Sequence, residues 1–172
     1  MRTRARGTTR RAGAVALVAA GLLLGALPHI AWASGNPARG MSADLDGRPM
    51  KLADVGNWYC DDFSYPVIHC FSDPTRLQLR DAAILSATAL VYVTIYDYTG
   101  FAGSFMQVSQ DYTVLAGIGW NDRISSFKAR NGLTGSFYTD WFYGGTGYYF
   151  CCYQQITSLG SYDNTFSSVH SD

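Results

Sequence analysis

The chain has 172 residues, of which 48% are hydrophobic, 15% aromatic and 15% charged, and its acids are all Asp, with no Glu. That apolar content excludes a disordered chain, and the lack of Glu argues against a long helical or coiled-coil protein. Twelve Tyr, nine Phe, four Trp and 18 Gly describe short strands joined by tight turns.

Residues 1–11 carry Arg2, Arg4, Arg6, Arg10 and Arg11 and no acid, a short apolar run follows to Leu27, and Ala31-Trp32-Ala33 closes the segment. A basic start, a short apolar stretch and a small-x-small site predict a secretory signal over 1–33, cleaved near Ala33 and Ser34, and hence a secreted, extracellular protein. The run is short for a bilayer, and no later segment is apolar enough to span one, so no stable membrane insertion is expected after cleavage. Beyond residue 33, eight Arg and Lys face 13 Asp, a net charge of −5 hidden by the formal zero of the whole chain. Such a charge argues against nucleic acid as a partner and favours cations or basic partners.

Residues 34–50 hold Gly35, Pro37, Gly40, Gly47 and Pro49 with little apolar content, which predicts a flexible mature N-terminus. Residues 51–90 form a Cys-bounded extension. Asn57-Trp58-Tyr59-Cys60 to His69-Cys70-Phe71 is aromatic and reads as an extended segment. Ser72-Asp73-Pro74 then caps a short helix over Thr75–Thr88. The four cysteines, Cys60, Cys70, Cys151 and Cys152, are even in number and lie in the exported part, which predicts two disulfides. A bridge between the neighbours Cys151 and Cys152 would close a strained ring. The other two connectivities are preferred, and either one ties the extension to the chain near residue 151. The thiols lack the pair spacing of a zinc site.

Beyond residue 90 the sequence repeats with a period of 42. Tyr96, Phe101, Gly103 and Ser104 recur as Tyr138, Tyr143, Gly145 and Thr146. Asn121-Asp122-Arg123-Ile124-Ser125-Ser126 recurs as Asp163-Asn164-Thr165-Phe166-Ser167-Ser168. Each unit runs aromatic hairpin, apolar strand, turn, polar hexapeptide. Tyr96 with Phe101, and Tyr138 with Tyr143, are placed to close a folded hairpin by stacking, with Gly103 and Gly145 where the backbone needs a positive φ. Ile124 and Phe166 are expected to point into the core. Ser125 and Ser167 are expected to bond backbone left free by the hairpin.

An aromatic-x-x-x-x-aromatic-x-Gly hairpin paired with an Asn/Asp-Asn/Asp-x-x-Ser-Ser segment resembles the βγ-crystallin Greek key. The resemblance covers residues 91–172, as two Greek keys at about 91–130 and 131–172. It implies an all-β sandwich of two four-stranded sheets, here with a disulfide-tied N-terminal extension containing a short helix. It also implies two Ca²⁺ sites, each combining side chains of one hexapeptide with backbone of the other. Carried onto this sequence, the ligands are Asp122 and Asn164, Ser125 and Ser167, the carbonyls of Arg123 and Thr165, and the hairpin positions Asp97 and Thr139. Thr139 departs from the usual acid, although Asp140 is adjacent. The Arg123 side chain is expected to point away. Oxygen donors of this kind suit a hard cation that takes six to eight oxygens, and the second unit, with fewer carboxylates, is expected to bind more weakly.

No nucleophile motif, paired Glu or phosphate loop stands in the sequence, so no catalytic residue is assigned and the protein is expected to be non-enzymatic. The leading reading is a secreted calcium-binding βγ-crystallin-type protein whose fold is stabilised by Ca²⁺. The alternatives on the same fold are a secreted metalloprotease inhibitor, with an extracellular protease as partner, and a small killer-toxin-like antimicrobial acting on a cell-surface component.

Overall fold

The computed structural model describes residues 40–85 and 91–172. The expected export signal, residues 34–39 and the last residues of the expected helix lie outside the described residues. The elements are β1 (Ser42–Leu45), β2 (Arg48–Met50), β3 (Tyr59–Ser64), β4 (Val67–Phe71), α1 (Pro74–Leu85), β5 (Val93–Tyr98), β6 (Ala102–Val108), β7 (Ser126–Ala129), β8 (Thr134–Tyr138), β9 (Gly147–Cys151), β10 (Gln155–Ile156) and β11 (Ser168–Ser171). No helix among the described residues is long and apolar enough to cross a membrane.

Two sheets pack as a sandwich. One has eight strands in the order β10-β7-β5-β6-β3-β4-β1-β2, and the other three in the order β11-β8-β9. The two repeats exchange a strand. β10 of the second unit pairs with β7 of the first, while Tyr112 of the first bridges Val169 of the second. This exchange is the Greek-key pattern, and it makes each unit complete the other's sheet. The sheets are not two sets of four. The extension lengthens one to eight strands, and a single bridge at Tyr112 stands where the other's fourth strand would run.

The extension is therefore part of the sandwich rather than a segment laid on it. β3 pairs in parallel with β6, in the register Tyr59↔Phe105 and Asp61↔Gln107. Residues 42–50, expected to be flexible, form β1 and β2 instead. β1 pairs in parallel with β4, Ala43 is buried, and Asp44 holds His69 at 2.6 Å. Turn-forming Gly47 and Pro49 describe the hairpin between β1 and β2, and the neighbouring edge supplies the ladder that the local sequence does not announce. α1 packs beside β3, where Arg80 Nε donates to Asp61 at 2.8 Å and Leu77 is fully buried.

The disulfide pattern also differs from expectation. Cys60 and Cys70 lie directly opposite each other on β3 and β4 and are bonded to each other. Cys151 and Cys152 are free. The bridge closes a hairpin within the extension and does not tie it to the chain near residue 151.

The core is aromatic. Phe127, Phe137, Phe150 and Phe166 are all fully buried, with Phe137 against Phe150 at 4.8 Å and against Phe166 at 5.0 Å between ring centroids. Burying one such ring contributes roughly 1.5–3 kcal/mol, so the sheets are held chiefly by these side chains. Ile124 and Phe166, the single apolar residues of the hexapeptides, are fully buried. They pin both polar segments to the sandwich and so set the geometry of the site above them.

Candidate metal site

The two units build matching corners, and the correspondence runs atom by atom. Tyr96 meets Phe101 at 5.5 Å, and Tyr138 meets Tyr143 at 5.8 Å. Gly103 and Gly145 adopt φ of 80° and 73°. The backbone N–H of Ser125 donates to the Tyr96 carbonyl, and that of Ser167 to the Tyr138 carbonyl. The hexapeptides then clasp each other, since Asp122 N–H donates to the Phe166 carbonyl at 3.0 Å and Asn164 N–H to the Ile124 carbonyl at 3.1 Å. Asp122 and Asn164 sit at φ of 52° and 55°, a left-handed conformation that Asp and Asn tolerate better than most residues.

The hairpins are tied by the sixth hexapeptide serine and not by the fifth. Ser126 Oγ donates to the Tyr98 carbonyl at 2.6 Å and accepts from Phe101 N–H at 3.1 Å. Ser168 Oγ donates to the Asp140 carbonyl at 2.7 Å and accepts from Tyr143 N–H at 3.1 Å. Ser126 and Ser168 begin strands β7 and β11, and neighbouring side chains of a strand face opposite ways. The hydroxyls of Ser125 and Ser167 are thereby left for the site.

The first depression is lined by Asp97, Tyr98, Thr99, Asp122, Arg123, Ser125, Asp163 and Asn164. It joins the first hairpin to both hexapeptides, and Ser125 Oγ donates to Asn164 Oδ1 across the pair at 3.2 Å. Three carboxylates and one guanidinium leave it a formal charge of −2. The donors are oxygens throughout, which is the chemistry of a hard cation. The second depression is lined by Thr139, Asp140, Trp141 and Ser167 and holds one carboxylate. Thr139 Oγ1 already accepts from Thr146 N–H at 2.9 Å. Thr165 lines neither depression, and its hydroxyl donates to the Tyr162 carbonyl at 2.8 Å. Among the described residues no three His, Cys, Asp or Glu side chains cluster as a metal centre. A cation here would need hydroxyl, amide and backbone oxygens beside the carboxylates, and the first depression supplies the side-chain part of that set.

Arg123 does not point away. Its Nε and Nη2 donate to the two Asp97 oxygens at 3.0 and 2.8 Å, and its Nη1 donates to Asn57 Oδ1 at 3.0 Å and to the Gly119 carbonyl at 3.3 Å. The guanidinium also lies 5.7 Å from the Trp120 ring. Hydrogen bonding to Asp97 raises the Arg123 pKa above its ordinary value, against a smaller opposing effect of burial. The hairpin carboxylate expected to meet a metal thus already holds an internal cation.

Sequence reasoning missed Asn57, which comes from the extension 66 residues away from Arg123. It arrives because the turn around Gly56 packs against Gly119, where a Cβ on Gly56 would strike the Gly119 carbonyl and a Cβ on Gly119 would strike the Ala53 carbonyl. Only that close approach marks the contact, and two isolated glycines in a Gly-rich chain do not reveal it. The two histidines in the described part are tied elsewhere, His69 to Asp44 and His170 to Asp111 at 2.8 Å.

No protein-family model matches the sequence, and no curated protein matches it. Solved structures do. The chain is similar to a βγ-crystallin from an archaeon, 31% identical, over 46% of this chain and 95% of that one, with a TM-score of 0.42. It is similar to a βγ-crystallin from Ciona intestinalis, 22% identical over 46% and 98%, with a TM-score of 0.43. A βγ-crystallin domain from Flavobacterium johnsoniae is 23% identical over 47% and 93%, with a TM-score of 0.42.

Proposed function

The chain belongs to the βγ-crystallin family, and from that premise we propose that it is an exported, non-enzymatic calcium-binding module whose bound ion stabilises the fold. The observation that carries the reading is the meeting of the two hexapeptides. Ser125 and Asn164 face each other at 3.2 Å in a depression that also holds the carboxylates of Asp97, Asp122 and Asp163. These residues would hold the ion at the first site, and Asp140 and Ser167 would do so at the second, with the Arg123 and Thr165 carbonyls as further donors. Bound calcium supplies a compact double positive charge. That charge would offset the carboxylates of Asp122 and Asp163, while Asp97 is already paired with Arg123. Because the ligands come from both repeats, binding favours the folded chain over the unfolded one.

The test is calorimetric Ca²⁺ titration of the metal-stripped protein beside the Asp122→Ala, Asn164→Ala double variant, with melting curves in Ca²⁺ and in chelator. Calcium at 100 times its Kd should add about 2.7 kcal/mol of stability. Loss of the first site's heat in the double variant supports the reading. No heat and an unchanged melting temperature in the parent protein would leave the hexapeptides as structural turns only. Export is tested by sequencing the N-terminus of the protein recovered from culture medium, with Ser34 expected first.

A further inference from the structure

We propose that Cys151 and Cys152 form a redox-active pair that closes reversibly to an adjacent-residue disulfide at the corner where the chain passes from one sheet to the other. Two observations support it, together with the export proposed above, on which the oxidising setting rests. Cys60 and Cys70 are joined to each other and fully buried, so the remaining two cysteines have no partner within the chain except each other. An exported protein meets an oxidising environment, where a free thiol pair does not persist unchanged. The backbone that carries the pair is held on both sides. Cys152 N–H donates to the Leu133 carbonyl at 2.8 Å, the Cys152 carbonyl accepts from Gly132 N–H at 3.1 Å, and Gln154 N–H donates to the Cys151 carbonyl at 3.0 Å.

The site is reachable. Cys152 is exposed and Cys151 half-buried, beside an exposed Tyr153. Cys152 takes a φ of 65°, a conformation that a residue with a side chain holds only where its surroundings impose it. The two thiols are neighbours in the chain, and the interaction with Cys152 holds the Cys151 thiol above its ordinary pKa. Cys152, the more exposed thiol, is the first nucleophile and Cys151 the resolving one.

The co-reactant is a small disulfide or a disulfide-carrying protein. The Cys152 thiolate attacks one donor sulfur, forming a mixed disulfide and releasing one thiol. The Cys151 thiolate then displaces the second donor thiol as the Cys151–Cys152 bond forms. One donor disulfide is reduced to two thiols, and two protein thiols are oxidised to one disulfide. Ring closure between neighbours is strained, and strain of this kind makes a disulfide easily reduced. The pair thus differs in kind from the buried Cys60–Cys70 bridge.

The sequence makes the test clean. Trypsin leaves both residues in one peptide, 131–172, because no Lys or Arg follows Arg130, and it leaves Cys60 and Cys70 in another, 52–76. The full chain is incubated with oxidised glutathione, digested without reduction and weighed. Peptide 131–172 should become lighter by two hydrogens, the chain should stay monomeric on a non-reducing gel, and mild reductant should restore both thiols while peptide 52–76 keeps its bridge. In Cys151→Ser the reaction should stop at a glutathione adduct on Cys152. A lasting adduct in the parent protein, a covalent dimer, or two unreacted thiols would overturn the proposal.

Discussion

Replacing Arg123 by Ala separates the two jobs that the first depression asks of Asp97. In the parent protein both Asp97 oxygens are taken by the guanidinium, at 3.0 and 2.8 Å. An ion held by that carboxylate at the usual Ca²⁺–oxygen distance would sit about 5 Å from the guanidinium. At that distance a double and a single positive charge repel by about 1.7 kcal/mol even at the permittivity of water, and by more in a partly enclosed site. Removing the guanidinium also changes the depression's formal charge from −2 to −3. Arg123→Ala should therefore tighten Ca²⁺ binding at the first site by at least roughly tenfold. The metal-free protein should lose stability at the same time. The side chains of the pair are 29% and 15% exposed, so the ion pair itself is worth about 1 kcal/mol, and the contacts to Asn57 and Gly119 are lost with it. The assay is calorimetric titration in a background carrying Ser167→Ala and Asp140→Ala, which silences the second site, together with melting in chelator. Unchanged or weaker binding in Arg123→Ala would refute the idea that the guanidinium competes with the metal.

Three further outcomes follow from the geometry. Ser126→Ala or Ser168→Ala removes both side-chain hydrogen bonds that tie its hairpin, made by a buried hydroxyl, and should cost about 1–3 kcal/mol in a denaturation curve, whereas Ser125→Ala and Ser167→Ala should weaken calcium binding with much less effect on the metal-free fold. Equal costs at neighbouring serines would contradict this division of roles. Burial raises the Asp62 carboxyl to about 6 despite the hydrogen bonds donated by Ser109 and Tyr112. The folded state then holds the proton more tightly than the unfolded one, so this contribution is fully present below the ordinary value of 3.8 and is lost as pH rises through about 6. That amounts to roughly 3 kcal/mol. Asp62→Asn should flatten the fall in stability between about pH 4 and 6, leaving the part due to Asp61 and Asp81, whose carboxyls burial also raises. An unaltered slope would show that Asp62 is not its source. Phe142 sits exposed at a φ of 55°, where its counterpart in the first unit is Gly100 at 70°. Phe142→Gly should relieve about 1–2 kcal/mol of backbone strain, measured as a higher melting temperature.

The parts legible in the sequence are those that each repeat settles locally. The period of 42, the aromatic closures at Tyr96 and Tyr138, the positive φ at Gly103 and Gly145, and the inward Ile124 and Phe166 follow from residue spacing within a hairpin or a hexapeptide. α1 announces itself by Ser72-Asp73-Pro74 and begins at Pro74. The gathering of Asp122, Ser125 and Asn164 in one depression follows in part from the same local turns.

What the sequence alone determined was thus the all-β repeat and the residue types that the site gathers. The tertiary structure decided everything that depends on which strand lies beside which. Ser126 rather than Ser125 ties the hairpin because the register of β7 turns it inward. Cys60 joins Cys70 because β3 and β4 bring them face to face. Residues 42–50 become strands because β4 offers an open edge. Arg123 enters the first depression, braced by Asn57, because Gly56 and Gly119 let the extension approach. Each of these outcomes joins residues far apart in the chain through backbone hydrogen bonding or close packing, and no short-range pattern encodes a pairing partner.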